Sequence, residues 1–418
     1  MINTFKIALR NLKRYRRRTL LTSLLIMVGV VMVILFSGLS GSFKGMMIGQ
    51  ITDSNLAQMQ IHKRGYVSSI DTMPLNLNLN QKEYKKIEKM LMQQTEVAAY
   101  APRIKLGAML SNFTETTNIR INAVDPEREV KVCPAVEDRI LSTSNNKKGE
   151  IFIKTGEVII PEKLAKGMKI EKGNTVVIVA NNREGSVNGL NFIVAGIIED
   201  VLGPQGKEGY MHIDDARALL RMKEPEVTEV AIRLKNFDKL DTVFAYLKSV
   251  LAQYKNPKGV PVFEIHTWEK LSPFNNIAKM IDIMTVSMKI IMIAIVLISI
   301  LNVMIMSVYE RIREIGTMSA IGTTPGKIMA LFLAEGFSLG VISTLLGNVI
   351  GLGGIYLLNI YKIRFSFGRM DDLVLSPVID FSELYWVSAI VLLVSVFASL
   401  QPAYKASEME PVDALRHV

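Results

Sequence analysis

The chain of 418 residues is 49% hydrophobic and 21% charged, and its formal net charge is +10. This mixture is typical of a protein with separate apolar and water-soluble blocks, and it argues against a chain of one uniform type. A single cysteine excludes an internal disulfide, and the four histidines have no spacing that resembles a metal site.

Residues 1–18 predict a cytoplasmic, amphipathic basic helix. Its apolar residues fall at helical spacing on one face: Ile2, Phe5, Ala8, Leu9 and Leu12. The remaining positions carry lysines and arginines and no acidic residue. Such a helix lies in the membrane interface, and the positive-inside rule places it in the cytoplasm. Much of the basic charge is thereby explained without nucleic acid, although a plain basic tail is an alternative.

Residues 19–42 predict the first membrane helix. The run from Thr19 to Leu39 carries no charge, and at about 1.5 Å per residue it spans roughly 30 Å, the thickness of the hydrocarbon core. A signal peptide is the competing interpretation. The run is long for the apolar region of a signal peptide, and no small-residue cleavage site follows it, so an uncleaved helix is favoured.

Residues 43–280 have the composition of a soluble domain and predict a mixed α/β extracytoplasmic (periplasmic) domain, long enough for two lobes. Its short β-like runs are Met59–His62, Asn118–Ala123, Thr175–Val179, Phe192–Ile197 and Val230–Leu234. Its helical patterns are Gln81–Gln94, Pro161–Gly167, Asp214–Met222 and Phe237–Tyr254. The amphipathic stretch Ile277–Lys289 predicts a stalk that leads into the next membrane helix.

Three further apolar blocks predict membrane helices, because each contains a run long enough to cross the hydrocarbon core. They are residues 281–308, 328–358 and 384–400. Four crossings return the tail, residues 401–418, to the cytoplasm. The loop at residues 309–327 is then cytoplasmic, and the loop at residues 359–383 is external. The fold class is therefore an α-helical membrane protein with an α/β domain inserted between its first two helices.

The third membrane helix carries small residues at a 4-3-4-4 spacing, which places them on one helix face. They are Gly336, Gly340, Ser343, Gly347 and Gly351. Because lipid provides little hydrophobic force between helices, small residues that allow close backbone approach favour a packing face. A substrate channel is the alternative. Glu335, near the start of this helix, is interpreted either as a functional intramembrane acid or as a group at headgroup level.

Two motifs of common enzymes are absent from the sequence, the G-x-x-x-x-G-K-[ST] phosphate loop and the H-E-x-x-H pair. The pattern G-x-S-x-G occurs once, at Gly336–Gly340, but inside an apolar block rather than at the strand-to-helix turn that a nucleophile elbow requires. No catalytic residue, metal or cofactor is therefore predicted in this chain. If the protein uses ATP, another subunit must bind it.

The loop after the second membrane helix contains a specific motif. Glu310-Arg311, Glu314-Ile315-Gly316, Ala320 and Gly322 occur in order and resemble the E-R-x-x-E-I-G-x-x-x-A-x-G element of the FtsX-like ABC-transporter permeases, which include MacB-type exporters and the lipoprotein-releasing LolC/LolE subunits. The opening Ala8–Leu12 and the close Pro402–Ala406 with Glu410–Arg416 resemble the same family. Within the domain, Gln60–His62 and Gly65-Tyr66 are similar to the lipoprotein-releasing subset.

The resemblance implies a coupling helix from Glu310 to about Ile321 that docks into a groove of an ATPase subunit. Gly322 suits the end of this helix, and Thr324 and Pro325 suit the first positions of the next. In the family, charged residues pair across the interface and small ones allow close approach. The implied interface positions are Glu310, Arg311, Glu314, Ile315, Gly316, Ala320 and Gly322.

The resemblance also implies a function. It is that of a permease subunit of the MacB/LolCDE mechanotransmission type, which couples ATP hydrolysis by a partner ATPase, holding ATP and Mg, to extraction or export of a lipoprotein, lipid or amphiphile. The implied partners are that ATPase, a second or sister permease and membrane lipids, with a periplasmic substrate acceptor left open and no nucleic acid. The location is the inner membrane. The alternatives are a signalling permease that regulates a cell-wall hydrolase and a membrane-anchored sensor without an ATPase.

Overall fold

The computed structural model describes residues 2–141, 152–199, 208–362, 364–367, 370–374, 376–378 and 381–410. The chain forms two compact units. The membrane unit comprises residues 1–45 and 278–418, and the α/β unit comprises residues 46–277. The α/β unit is thus an insertion in the sequence of the membrane unit.

Twelve α-helices occur in the described part of the chain. They are α1 (Ile2–Arg14), α2 (Arg16–Ile51), α3 (Gln81–Gln93), α4 (Pro126–Val132), α5 (Glu162–Gly167), α6 (Ile213–Leu219), α7 (Leu240–Leu251), α8 (Trp268–Leu271), α9 (Asn275–Glu310), α10 (Ile312–Ala320), α11 (Pro325–Tyr361) and α12 (Phe381–Ser407).

Among the described residues, four helices are long and apolar enough to cross a membrane: Thr19–Leu56, which continues α2 through a π-helical turn, and α9, α11 and α12. With the α/β unit between the first two, they confirm the predicted fold class. Each helix is longer than its predicted segment, because helical backbone continues through polar residues beyond the apolar run. The stretch predicted as a stalk, Ile277–Lys289, lies within α9.

The small residues of α11 pack against two different helices. A Cβ added at Gly336 or Gly340 would lie 2.8 Å from the Cβ of Ser399 or Ser395 on α12. A Cβ at Gly347 would lie 2.8 Å from the Cβ of Val30 on α2. Further contacts to α2 come from Ser343, whose hydroxyl is 3.0 Å from that of Ser23, and from Gly351, whose added Cβ would lie 3.2 Å from the Cβ of Ile34. The stripe lets two neighbours approach α11 closely.

In the part of the chain that the structure describes, the α/β unit contains nine strands, and a short hairpin in the membrane unit adds two. The strands are β1 (Met59–Lys63), β2 (Val97–Ser111), β3 (Thr116–Val124), β4 (Glu157–Pro161), β5 (Thr175–Asn181), β6 (Val187–Ile198), β7 (Glu208–His212), β8 (Glu229–Leu234), β9 (Phe263–Thr267), β10 (Arg364–Phe367) and β11 (Met370–Val374).

Strand β2 organises the α/β unit, because its 15 residues take part in two arrangements. Its second half pairs with β3 and β5, and the order β2-β3-β7-β4-β6-β5 returns to β2 as a closed ring. Its first half pairs with β8, which continues through β1 to β9. Helix α4 packs on β2 and β8, and α7 packs on β9. Two lobes therefore share one strand.

The predicted segments of this unit fall on five strands and four helices. The β-like runs lie in β1, β3, β5, β6 and β8, and the helical patterns lie in α3, α5, α6 and α7. Pro161 belongs to the end of β4 rather than to the predicted helix. The hairpin β10–β11 lies in the segment predicted as an external loop, and α12 begins at Phe381, inside that predicted loop.

Candidate functional site: the α10 segment and the end of the first membrane helix

Helix α10 is a short element between two membrane helices, with distinct breaks at both ends. Arg311 has non-helical dihedral angles, so α9 ends at Glu310 and α10 starts at Ile312, two residues later than predicted. At the other end Gly322 has φ +87°, and the amides of Gly322 and Thr323 donate to the carbonyls of Ser319 and Met318. This Schellman arrangement requires a left-handed residue, for which glycine is best suited.

Thr324 and Pro325 start the following helix as predicted from their residue types. Thr324 is extended and precedes α11, whose first residue is Pro325. A proline suits this position because the first amides of a helix have no intrahelical acceptor. The Thr324 side chain itself makes no capping hydrogen bond.

Arg311 is buried, with only 4% of the residue exposed. Its guanidinium donates from Nε to Glu314 Oε2 (2.9 Å) and from Nη1 to Glu335 Oε2 (3.1 Å), and it lies over the ring of Phe332. With its amide oriented to meet a donor, Asn11 accepts from Nη2 at 2.9 Å. The prediction placed Arg311 at the ATPase interface, whereas the structure pairs it within the chain, because a buried cation needs counter-charges.

Glu314 connects this arginine to the N-terminal helix. Its Oε1 accepts from Arg14 Nη1 of α1 at 3.0 Å, while its Oε2 accepts from Arg311. We name Asn11, Arg14, Arg311, Glu314 and Glu335 the Arg311 cluster. The exposed Arg14–Glu314 pair is worth about 0–1 kcal/mol, whereas breaking the buried Arg311–Glu335 pair costs more, about 1–3 kcal/mol. The cluster thus ties α1, α10 and α11 together mainly through Arg311.

The predicted interface residues fall into two groups. Arg311, Ile315 and Gly316 are buried, and Glu314 is half-buried within the Arg311 cluster. Glu310, Ala320 and Gly322 are exposed. The inward residues hold α10 in place, and only the outward ones are accessible to a partner.

The accessible surface of α10 includes residues that the motif did not identify. Arg313 and Thr317 are exposed, and Ile321 is 78% exposed directly after the helix. Together with Ala320 they form the outer face of α10, which we define as Arg313, Thr317, Ala320 and Ile321. Their spacing of four, three and one is that of one helix side, so helical periodicity in the sequence would have found them.

Helix α1 packs against α11 through part of its apolar side. Ala8 and Leu12 are buried, and Phe5 contacts Phe337 edge to face with ring centroids 6.0 Å apart. Leu9, predicted on the same apolar face, is 50% exposed. The amphipathic helix therefore divides its apolar side between the protein and the surroundings.

A second group of charged residues surrounds the π-helical turn Thr52–Leu56, which follows α2 and belongs to the α/β unit. Arg103 and Arg139 donate to the carbonyls of Asn55 (2.7 Å) and Ser54 (3.0 Å). Arg233 donates to the carboxylate of Asp53 at 2.7 Å. We name these three arginines the arginine clasp. Carbonyls at the end of a helix lack intrahelical donors and carry partial negative charge, so cations stabilise them there.

Arg103 is fixed by carboxylates on two sides. It pairs with both oxygens of Glu129 at 2.9 and 2.6 Å, and with Glu229 at 3.2 Å. Burial acts to raise the pKa of Glu229, but Lys105, the bond to His62 and Arg103 hold that pKa well below its usual range. Burial raises the pKa of the neighbouring Cys133 thiol to about 12. This thiol therefore stays protonated and unreactive at neutral pH.

The motif residues of β1 belong to the same network. His62 Nε2 lies 3.3 Å from Glu229 Oε2, and its ring stacks on that of Tyr66 with a centroid distance of 5.2 Å. All three side chains are fully buried. These residues support the core next to the clasp, and no pattern in the sequence indicated the contact of His62 with Glu229.

Comparison with known proteins identifies related chains. A family model described as the MacB-like periplasmic core domain matches residues 19–250, and one described as FtsX-like permease C-terminal matches residues 286–411. The lipoprotein-releasing system transmembrane protein LolC of Neisseria meningitidis is 24% identical over 376 residues, which are 84% of each chain. The macrolide export ATP-binding/permease protein MacB of Nitrobacter winogradskyi is 25% identical over 74% of this chain and 46% of its own length.

Among solved structures, the periplasmic region of MacB from Actinobacillus actinomycetemcomitans is similar to 54% of this chain and 92% of that one. The sequence identity is 14% and the TM-score is 0.33. The two family models together account for both the α/β unit and the membrane helices that follow it. The chain therefore belongs to the MacB- and FtsX-like family of ABC-transporter permeases, multi-pass membrane proteins that include LolC and LolE.

Proposed function

We propose that this chain couples ATP hydrolysis in a separate ATPase subunit to extraction or export of a lipoprotein, lipid or amphiphile. The observation that carries the proposal is helix α10, which joins two membrane helices and presents its outer face while the Arg311 cluster holds its inner side. A surface helix held this firmly transfers a push to the helices behind it. A plain connecting loop needs no buried arginine.

In the first step, the ATPase displaces α10. Arg311 bonds to Glu335 of α11 and to Glu314 of α10, and Glu314 bonds to Arg14 of α1. A displacement of α10 must therefore move α1 and α11 or break these bonds. Because the buried bonds are costly to break, joint movement is the favoured response.

The second step leads to the α/β unit. Helix α2 packs against α11 through Gly347 and Gly351, so movement of α11 acts on α2. The turn that continues α2 is held by the arginine clasp through backbone carbonyls and Asp53. A backbone carbonyl cannot rotate away from its donor as a side-chain acceptor can, which suits a mechanical attachment.

The proposal includes the location, the cofactors and the partners. In it, the chain lies in the inner membrane with both termini and α10 in the cytoplasm, and the α/β unit lies in the periplasm. ATP and Mg are bound by the partner ATPase, and a second or sister permease completes the transporter. ATP shifts the transporter between states only by the difference in its affinity for them.

Substitution at the outer face of α10 tests the proposal. Ile321→Glu places a charge where an exposed apolar side chain would be buried by the ATPase, and we expect at least about tenfold less ATPase to co-purify. The control is Val187→Glu, which changes an exposed apolar residue of the α/β unit (63% exposed) and should leave ATPase recovery unchanged. Equal recovery of the ATPase with both variants would contradict the assignment of α10.

A further inference from the structure

A cavity of about 610 Å³ lies between α2, α9 and α12, within the membrane unit. Two ion pairs border it. Lys44 of α2 pairs with Asp282 of α9 at 2.7 Å, and Lys289 of α9 pairs with Glu383 of α12 at 2.5 Å. All four side chains are at least partly exposed. The cavity is therefore rimmed by two cations and two anions that remain accessible.

The sequence places these charges at one level of the membrane. Lys44 follows the uncharged run of α2, which ends at Leu39, while Lys289 and Glu383 come directly before the apolar runs that begin at Ile290 and Leu384. Three helices thus change from charged to apolar beside this cavity, at the end opposite α10. That transition marks the depth of lipid headgroups.

The other residues that line the cavity also change from polar, at the level of the charges, to apolar further along α12. Hydroxyls of Ser40 and Thr285 lie near the charged level, and Val387 and Ile390 follow Glu383 into the apolar part of α12. Trp386, also in the lining, is 61% exposed and packs edge to face on Tyr385. Tryptophan and tyrosine concentrate at headgroup level because their rings are apolar and their tips polar.

We propose that this cavity binds the headgroup of a zwitterionic aminophospholipid. The lysines take the phosphate, the carboxylates of Asp282 and Glu383 take the ammonium group, and an acyl chain runs along Val387 and Ile390. The four charges sum to zero, which complements a headgroup carrying one charge of each sign. A headgroup with a phosphate but no ammonium group would draw the lysines away from Asp282 and Glu383 and supply no cation in their place. The volume is within the usual range for small-ligand sites.

This site goes beyond the proposed function, and it depends only on the membrane location. A lipid bound there contacts α2, α9 and α12 together, including the two helices that lead into the α/β unit. Loss of the bound lipid can be measured without any ATPase. Failure of the lipid site and failure of the coupling proposal are therefore distinguishable.

The test uses the full chain purified in detergent, depleted of lipid and incubated with phosphatidylethanolamine or phosphatidylglycerol before native mass spectrometry. We expect one retained phosphatidylethanolamine, and about tenfold less retention in Lys289→Gln, since a charge-assisted contact is lost. Lys279→Gln, an exposed lysine of α9 outside the lining, is the matched control and should retain the lipid.

A second variant separates binding from folding. Glu383→Gln keeps both lysines but removes one of the two carboxylate partners of the ammonium group, so the preference should shift from phosphatidylethanolamine towards phosphatidylglycerol. A variant that merely misfolds would lose both lipids and elute as aggregate, whereas a shift of preference requires a direct contact. Equal retention by wild type and Lys289→Gln would overturn the proposal. So would a wild-type preference for phosphatidylglycerol, or a retained lipoprotein in place of phospholipid.

Discussion

Arg103 of the α/β unit and Arg311 of the membrane unit are both buried and both paired with two carboxylates, yet their surroundings differ. Glu129 and Glu229, the partners of Arg103, are completely buried, and the arginine also bonds to the backbone of the turn after α2. Glu314, one partner of Arg311, is 41% exposed and shared with the exposed Arg14. The network around Arg103 is closed, because water reaches neither of its carboxylates. The network around Arg311 is open, because water reaches Glu314.

The difference suggests distinct roles for the two arginines. A closed network resists deformation, because every charge that loses its partner stays away from water. An open one allows Glu314 to exchange one arginine for another group at modest cost. The arginine clasp then acts as an anchor, and the Arg311 cluster as an adjustable joint beside the outer face of α10. Substitutions can test each half of this contrast.

The largest effect is expected from Arg103→Met, which takes from the buried Glu129 the cation that pairs with both its oxygens and leaves the buried Glu229 with Lys105 alone. We expect the α/β unit to lose about 3–5 kcal/mol of unfolding free energy. Urea unfolding followed by the fluorescence of Trp268, which is buried in this unit, measures the loss. Trp386→Phe removes the second tryptophan and serves as the background. A loss below about 1 kcal/mol would show that the network is not closed.

A smaller effect is expected from Arg311→Met, because Glu314 keeps Arg14 and only one buried carboxylate, that of Glu335, loses its bond to Arg311. We expect the membrane unit to lose about 1–3 kcal/mol and permease-dependent stimulation of the ATPase to fall strongly. Thermal unfolding in detergent and ATPase assays of the complex measure the two effects. Arg14→Met is the matched control, with a loss of about 0–1 kcal/mol. Equal losses for both variants would contradict the central role of Arg311.

The smallest effect is expected in the pH dependence of the free energy of unfolding of the α/β unit. Burial, followed by the nearby charges of His62 and Lys270, lowers the pKa of His266 to about 4 from an ordinary 6.5, although Glu264 opposes this. Between pH 6.5 and 4 the unfolded chain therefore binds a proton at His266 that the folded chain does not bind. The free energy of unfolding falls as the pH drops through this range. Above pH 6.5 this residue has no influence.

Urea midpoints between pH 7 and 4.5 test this prediction. His266→Gln should remove most of the slope above pH 5. The depressed pKa of Glu229 acts separately, because its stabilisation is present above the ordinary glutamate pKa of 4.5 and is lost only as the pH falls below it. An unchanged slope in the variant would assign the pH dependence to other groups.

The sequence predicted the fold class and the position of α10 because these depend on local signals. Uncharged runs mark the membrane helices, and Gly322 followed by Pro325 marks the boundary between two helices. Strand β2 was missed because Pro102 and Gly107 interrupt its pattern. In the structure Pro102 lies opposite Val230 of β8, and long-range pairing outweighs the local preference.

The role of Arg311 could not be predicted for a different reason. The motif identified it as functional, but its partners Asn11 and Glu335 are distant in the sequence and meet it only when α1 and α11 pack. Likewise, the spacing on α11 placed five small residues on one face but could not show that two helices share this face. Local patterns identify which residues matter, and the tertiary packing decides what they contact.

The orientation of α10 is the claim on which the coupling account depends. The only native cysteine, Cys133, is buried and has a raised pKa, so engineered cysteines can be labelled in its presence. A membrane-impermeant maleimide applied to intact spheroplasts should label Val187→Cys in the α/β unit but not Thr317→Cys on α10, which should react only in inverted vesicles. Labelling of Thr317→Cys from outside would put α10 beyond the reach of a cytoplasmic ATPase and would contradict the account.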